Sequence, residues 1–330
     1  MRQTKTKDRA NSNLPSIKVS LNREALKYYY FGPIRLVRIV ITLIRNVPHI
    51  SKSNKQTTIN RSLVFITKSN AYILIYNYKA FTNGVAHKIE DYIQSEVKKY
   101  GTLCFPLIDS ENSAGAASIA KKVEGMGASA VLVGGSSAID QLELTEIVSS
   151  IKLQINIPVI LFPGNVTGVS PRADAILFST LLNSEDPYFI TEAQALGALS
   201  VKKYNIEPLP TGYLIIGEGT TAWFIGRARG IPFNKYRIAV MYSLAAQYLG
   251  MRFLYLEAGS GAMQSISPQM VSAVRKHYEG ILIVGGGIRA PETAKEIAKA
   301  GADVIVISTM IEQDGSWEDK LSTIIKEIRR

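Results

Sequence analysis

Three apolar runs in the last third of the chain break into small residues and then into helix-like sequence: YLEAGSG at 255–261, IVGGGIRAPE at 283–292 and IVISTM at 305–310. A buried strand that ends in a Gly- or Ser-rich turn and opens a helix presents backbone N–H groups and a positive dipole end, a combination suited to phosphate. One such turn is weak; consecutive turns closing a repeating pattern are a phosphate site in the making. Gly286 and Gly287 after one run, and Ser308 and Thr309 after the next, are the candidate cradle. Earlier in the chain, Asp109 ends the apolar run CFPLID, and Ser136 follows Gly134 and Gly135 at the end of the run AVLVGG. A hard carboxylate at a strand end can hold Mg²⁺, which keeps most of its waters and bridges to substrate phosphates, and a nearby hydroxyl is a suitable second ligand. Taken alone, Asp109 reads first as a helix N-cap, and a cap is the rival reading for Ser136.

These groups need a scaffold that brings strand ends together. From about Lys88 onward, short apolar runs alternate with segments of helical period. Candidate strands are 102–108, 130–133, 159–162, 175–179, 212–216, 253–257, 281–284 and 304–307. They are apolar throughout rather than alternating, as parallel strands buried on both faces are. Helical spacing covers 114–124, 267–277 and 291–300, with Pro291 suited to a first turn and Gly-Ala pairs acting as helix stops before Ala130 and Val304. Eight β/α units in the segment 85–330 predict an α/β fold of the TIM-type (β/α)8 barrel class. An open doubly wound sheet is the competing fold; its phosphate turn follows the first strand, whereas here the turns come last.

The chain has 330 residues and a formal charge of +11, but the charge is not spread evenly. Residues 1–80 hold 15 of the 38 Lys and Arg with only two acids, Asp8 and Glu24, so the remaining 23 bases face 25 acids. The body therefore offers no electrostatic case for a nucleic-acid partner. The single cysteine, Cys104, lies in an apolar run, which excludes an intrachain disulfide and points to a reducing, cytoplasmic setting. His49, His87 and His277 are scattered and match no metal-ligand spacing.

Residues 1–84 form a basic N-terminal extension of different character, polar to about residue 20 and then apolar over 28–47 with Arg35, Arg38, Thr42 and Arg45 interrupting. Those positions fall on one helical stripe, and the arginines rule out a membrane span. Three readings stay open: a disordered segment from an over-long gene start, with the native start near Val85; an amphipathic helix on an anionic membrane surface; or a further structural element.

Taken together, FPLIDSEN (105–112), LVGGSSAID (132–140), ILFPGNVTGVSPRADAILFSTLLNSEDPYFI (160–190), YLEAGSGA and IVGGGIR resemble the archaeal geranylgeranylglyceryl phosphate synthase family, in order over about 88–312. The resemblance implies a Mg²⁺-dependent prenyltransferase that joins geranylgeranyl diphosphate to the C3 hydroxyl of sn-glycerol 1-phosphate, the first ether-bond step of archaeal phospholipid synthesis. It implies Asp109 and Ser136 as metal ligands. It places Tyr255, Leu256, Glu257, Ala258, Gly259, Ser260 and Gly261, with Gly286, Gly287, Ser308 and Thr309, around sn-glycerol 1-phosphate. Glu257, with Tyr255 beside it, is the candidate for removing the hydroxyl proton. A core aromatic role for Tyr255 and a structural ion pair for Glu257 are the alternatives. Homo-oligomers, dimers and larger rings alike, are expected, as is peripheral contact with the membrane that carries the lipid donor. The family usually has Gly-Thr where this chain has Ser308-Thr309. Tyr188, Phe189 and Trp223 are candidates for a prenyl groove. A heptaprenyl-using relative and a sugar-phosphate isomerase or cyclase on the same barrel are the competing activities.

Overall fold

The computed structural model describes residues 65–66, 71–72, 88–109, 115–135, 140–313 and 315–329. The chain divides into two units, Met1–Asn83 and Gly84–Arg330. In the first, Phe65–Ile66 pairs antiparallel with Ala71–Tyr72; the basic stripe from Arg35 to Arg45 lies outside the described residues.

The second unit is a closed barrel of eight parallel strands: β1 (Leu103–Asp109), β2 (Val131–Gly134), β3 (Val159–Phe162), β4 (Ala175–Leu181), β5 (Glu207–Ile215), β6 (Phe253–Glu257), β7 (Ile281–Gly285) and β8 (Val304–Ile307). Closure comes from β8 against β1, with Val304 opposite Leu103 and Ile307 opposite Pro106. The open-sheet alternative is thereby excluded, and all eight expected strands are present. Apolar runs arise because both faces of each strand are covered. Leu103, Phe105, Leu177, Phe253 and Tyr255 fill the barrel interior, while Cys104, Ile176, Leu254 and Leu256 face the helical layer.

β5 begins five residues before the expected start at Gly212. Pro208 and Pro210 lack the N–H that a ladder needs, so the sequence EPLP reads as a non-strand. The structure resolves the conflict by position. Until Thr211 this segment pairs with β4 alone, and β6 joins only there. The Pro210 carbonyl points to the β6 side, where it accepts from the Arg252 N–H, so the missing amides fall where no strand has yet arrived.

Helices follow the strands: α1 (Lys88–Tyr100), α2 (Ala116–Met126), α3 (Gln141–Lys152), α4 (Ala193–Tyr204), α5 (Thr221–Ile225), α6 (Tyr236–Tyr248), α7 (Pro268–Arg275), α8 (Pro291–Lys299), α9 (Thr309–Gln313) and α10 (Trp317–Ile328). Caps set their ends. Asp140 accepts from the Leu142 N–H at 2.7 Å ahead of α3, and Ser267 from the Met270 N–H at 3.2 Å ahead of α7. Pro291 occupies the first turn of α8. α1 precedes the barrel and closes its N-terminal end. The buried Glu207 carboxylate accepts from the Ile89 and Glu90 N–H groups at 2.8 and 3.0 Å, and Glu90 in turn pairs with Arg252 at 2.7 Å. With Ile93 plugged into the interior, the C-terminal end is left as the open face. Strand-end side chains converge there.

Candidate active site

Two adjoining cavities open at the C-terminal ends of the strands. The smaller, about 40 Å³, is lined by Tyr255, Glu257, Ser260, Gly286, Gly287, Arg289, Ser308 and Thr309, over a floor of Leu107, Val306 and Ile307. The larger, about 170 Å³, takes in Asp109, Gly135 and the loop Pro163–Gly164–Asn165–Val166, then runs over the end of β4. Leu107, Glu257, Ser260 and Ser308 belong to both.

Glu257 ends β6 with its side chain in the barrel mouth and is 5 % exposed. Burial raises its pKa; the Tyr255 hydroxyl and the Gly259 N–H, which donates to Oε1 at 2.5 Å, oppose that rise without cancelling it. Among the described residues no basic side chain pairs with it, which does not favour the structural ion-pair reading. Tyr255, buried, and Tyr213, half-buried, lie beside it, and desolvation first, then the Glu257 charge, pushes both phenols well above their ordinary value. Phe162, Tyr213 and Tyr255 form a mutual ring cluster with centroids 5.3–5.4 Å apart. Tyr255 is thus both a core aromatic and a wall of the small cavity.

Gly286 shows why the turn after β7 is glycine. Its φ is +82°, and a Cβ would stand 2.5 Å from the Gly259 nitrogen and 2.6 Å from Glu257 Oε1. Two loops and the carboxylate meet at a point where no side chain fits. Thr309 fastens the other side: its Oγ1 lies 3.0 Å from Ser260 Oγ and accepts from the Gly261 N–H at 3.0 Å. Ser308 replaces the usual glycine without strain, because the only non-glycine residues with positive φ among those described are Asn205 and Arg227.

Most of the expected acceptor residues are therefore brought together, with exceptions. Leu256 and Ala258 turn away into the layer between sheet and helices, and Gly259 stands behind Glu257 rather than on a cavity wall. Asp109 lines the large cavity, where a Cβ on Gly135 would come within 2.9 Å of its Oδ1; Ser136 lies outside the described residues. Among the described residues no three His, Cys, Asp or Glu side chains cluster to hold a metal. One carboxylate beside a glycine turn, facing an open cavity, suits a hydrated Mg²⁺ shared with substrate phosphates and does not suit a metal needing an all-protein cage.

The large cavity is lined mainly by apolar residues. Ile176, Phe178, Leu181 and Phe189 face Ala193, Gly197 and Val201, which fall at i, i+4 and i+8 on one side of α4. Phe189 lines this cavity, Tyr188 packs edge-on against it at 5.0 Å, and Trp223 packs against the cluster of Leu181, Ile215 and Ala228 instead. Sequence reading passed over Tyr213, Gly197 and the assignment of FPGN to a cavity wall. It also left LLNS without a role. Asn183 is buried; its amide donates to the Ile215 and Arg229 carbonyls at 2.9 and 2.8 Å and accepts from the Ile215 N–H at 3.1 Å, while Ser184 Oγ donates to the Gly226 carbonyl at 2.7 Å. The motif is a brace holding the groove's lip to β5, and its buried-amide chemistry was the available signal.

Comparison with known proteins agrees with this geometry. The PcrB family model matches residues 99–328. A geranylgeranylglyceryl phosphate synthase from Nitrosopumilus maritimus is 61 % identical over 246 residues, covering 74 % of this chain and 98 % of the relative. One from Pyrococcus furiosus is 48 % identical over 245 residues, covering 74 % and 97 %. The crystal structure of (S)-3-O-geranylgeranylglyceryl phosphate synthase from Thermoplasma acidophilum, in complex with substrate sn-glycerol-1-phosphate, superposes with a TM-score of 0.69 at 37 % identity over 73 % of this chain and 98 % of that one. With a family model spanning more than half its length and relatives matched almost end to end, the chain belongs to the PcrB family, alongside the archaeal geranylgeranylglyceryl phosphate synthases.

Proposed function

We propose that this protein is a phosphoglycerol geranylgeranyltransferase, joining the geranylgeranyl group of its diphosphate to the C3 hydroxyl of sn-glycerol 1-phosphate. The observation that carries the reading is the pairing of a small polar cavity with a long apolar one across a shared buried carboxylate. A sugar-phosphate isomerase has no use for the apolar arm. In this reading the glycerol phosphate lies between the loops after β6, β7 and β8. Glu257 accepts a hydrogen bond from the glycerol and takes the C3 hydroxyl proton as that oxygen attacks the allylic carbon. The prenyl chain lies along β4 and α4, where burial of its methylenes supplies binding energy at about 0.8 kcal/mol each. Tyr213, Tyr255 and Phe162 keep the junction dry, which strengthens the hydrogen bonds to the reacting oxygen.

Asp109, with the Ser136 hydroxyl, would hold Mg²⁺, and the ion would neutralise the departing diphosphate. Among the described residues no helix is long and apolar enough to cross a membrane; a cytoplasmic homo-oligomer that meets its lipid donor at the membrane face is the matching arrangement. The test is a transfer assay with labelled sn-glycerol 1-phosphate, geranylgeranyl diphosphate and Mg²⁺ on the full chain and on Asp109→Ala. Labelled ether product and pyrophosphate from the full chain, lost in Asp109→Ala, are expected. No pyrophosphate from the full chain ends the proposal, and turnover confined to heptaprenyl diphosphate moves it to the other branch of the chemistry.

A further inference from the structure

The loop after β6 offers fewer donors than its sequence suggests. The Gly259 N–H is spent on Glu257 Oε1, the Gly261 N–H on Thr309 Oγ1, the Ala258 N–H on the Gly285 carbonyl and the Ala262 N–H on the Gly259 carbonyl. The loop after β6 therefore has little left for an anion. The same pocket already holds the Glu257 carboxylate, so a phosphate entering it adds a second negative group a few ångströms from the first. The backbone dipoles of the remaining turns carry no formal charge to set against it.

One side chain can. Among the described residues lining either cavity, Arg289 is the only Lys, Arg or His. It stands exposed on the loop between β7 and α8. Its one contact among the described residues is Nη2 to the Gly261 carbonyl at 3.4 Å, a long bond to a neutral acceptor. That contact already carries the guanidinium across the small cavity from the β7 loop to the β6 loop. A phosphate would replace a weak neutral acceptor with a charged one matched to the guanidinium fork.

We infer that Arg289 is the residue that makes the small cavity select a phosphorylated, dianionic acceptor over an uncharged polyol. The inference rests on the transfer reading above for its catalytic arm and stands apart from it in its binding arm. The full chain and the variants Arg289→Gln and Arg289→Lys are assayed for transfer with sn-glycerol 1-phosphate and with glycerol. In Arg289→Gln the KM for the phosphorylated acceptor rises about 10–100-fold, as loss of a charge-assisted hydrogen bond entails. The kcat, the donor KM and the turnover of glycerol stay near those of the parent, and Arg289→Lys recovers part of the loss. In parallel, melting temperature is followed with inorganic phosphate against chloride at matched ionic strength. The parent is stabilised by phosphate, and Arg289→Gln loses that increment. An unchanged acceptor KM, equal falls in kcat for both acceptors, or phosphate stabilisation that is absent in the parent or equal in both proteins overturns the inference. If no form of the protein transfers a prenyl group, the transfer reading fails while the phosphate titration still decides the role of Arg289.

Discussion

Gly197 sits in the middle of α4, buried, with helical neighbours on both sides. A glycine there costs the helix about 1 kcal/mol relative to alanine. Packing does not demand it, because a Cβ built at this position meets nothing within 4 Å. The space it leaves is the wall of the apolar cavity, one turn from Ala193 and one turn from Val201. The position opens onto the cavity, so a methyl here should be tolerated and a larger side chain should intrude on the groove. Two substitutions separate folding from function. Gly197→Ala adds a methyl in open space, so stability should rise by about 0.5–1 kcal/mol, or roughly 1–4 °C in melting temperature for a barrel of this size, with little change in turnover. Gly197→Leu puts a branched side chain across the groove. If it excludes one five-carbon isoprene unit, the buried methylenes lost are worth about 3–4 kcal/mol as an upper bound, or two to three orders of magnitude in kcat/KM for the long donor. The assay compares geranyl, farnesyl and geranylgeranyl diphosphates on the parent and both variants. The loss should fall on the longest donor and spare the shortest. Equal losses for all three, or an alanine variant that melts lower than the parent, would refute the reasoning.

Two further outcomes follow from the carboxylate and its glycine. Glu257→Gln should cut kcat by about two to four orders of magnitude, and in the parent the acid limb of kcat/KM should lie above the ordinary glutamate range, because burial raises this pKa; an acid limb at the ordinary position contradicts the role. The same shift fixes a sign for stability: between the ordinary and the raised pKa the folded chain keeps a proton that the unfolded chain has lost, so stability falls as pH rises through that window. Denaturant midpoints across the window should show this slope in the parent and not in Glu257→Gln. Gly286→Ala should lose activity and stability together, since its Cβ would stand 2.5 Å from the Gly259 nitrogen and 2.6 Å from Glu257 Oε1, a backbone clash that adds to the about 1–2 kcal/mol a left-handed φ costs a β-carbon. Activity and melting temperature measured together test this, and an alanine variant that melts with the parent counts against it.

The barrel was legible because each strand is an unbroken apolar run stopped by glycine, a pattern that burial on both faces imposes. It failed at β5, where Pro208 and Pro210 are tolerated only because β6 has not yet joined. Strand-end residues were legible for the same reason: Asp109 and Glu257 end runs whose direction is set by the fold. The walls were harder. Tyr213 reads as one more strand aromatic, Gly197 as an interruption in a helix, and Trp223 as a groove residue although it packs against Leu181 and Ile215. Whether a side chain lines a cavity depends on which of two faces it takes and on what stands opposite. Neither is written in local spacing. The YLEAGSG turn misled in a different way. Its glycines advertise free N–H groups, yet the loop uses them on its own carboxylate and on Thr309.

That last point bears on how two anions share one mouth. A transfer of this kind brings a diphosphate and a phosphate to the same barrel end, on either side of a carboxylate that must stay free to take a proton. Were both anions to lean on the backbone of one loop, their repulsion, and that of Glu257, would fall on neutral dipoles. The cavities instead divide the task. Asp109 faces the large cavity, where a hydrated Mg²⁺ suits it, and Arg289 stands over the small one. Glu257 lies on the wall between them, and among the described residues its hydrogen bonds are with the Tyr255 hydroxyl and the Gly259 N–H. With Mg²⁺ held at Asp109 as proposed, each substrate anion would have a countercharge on its own side. A cation beside Glu257 would lower its pKa and weaken it as a base. The uneven placement of charge, with Arg289 at one lip and Asp109 at the other, is what this division requires.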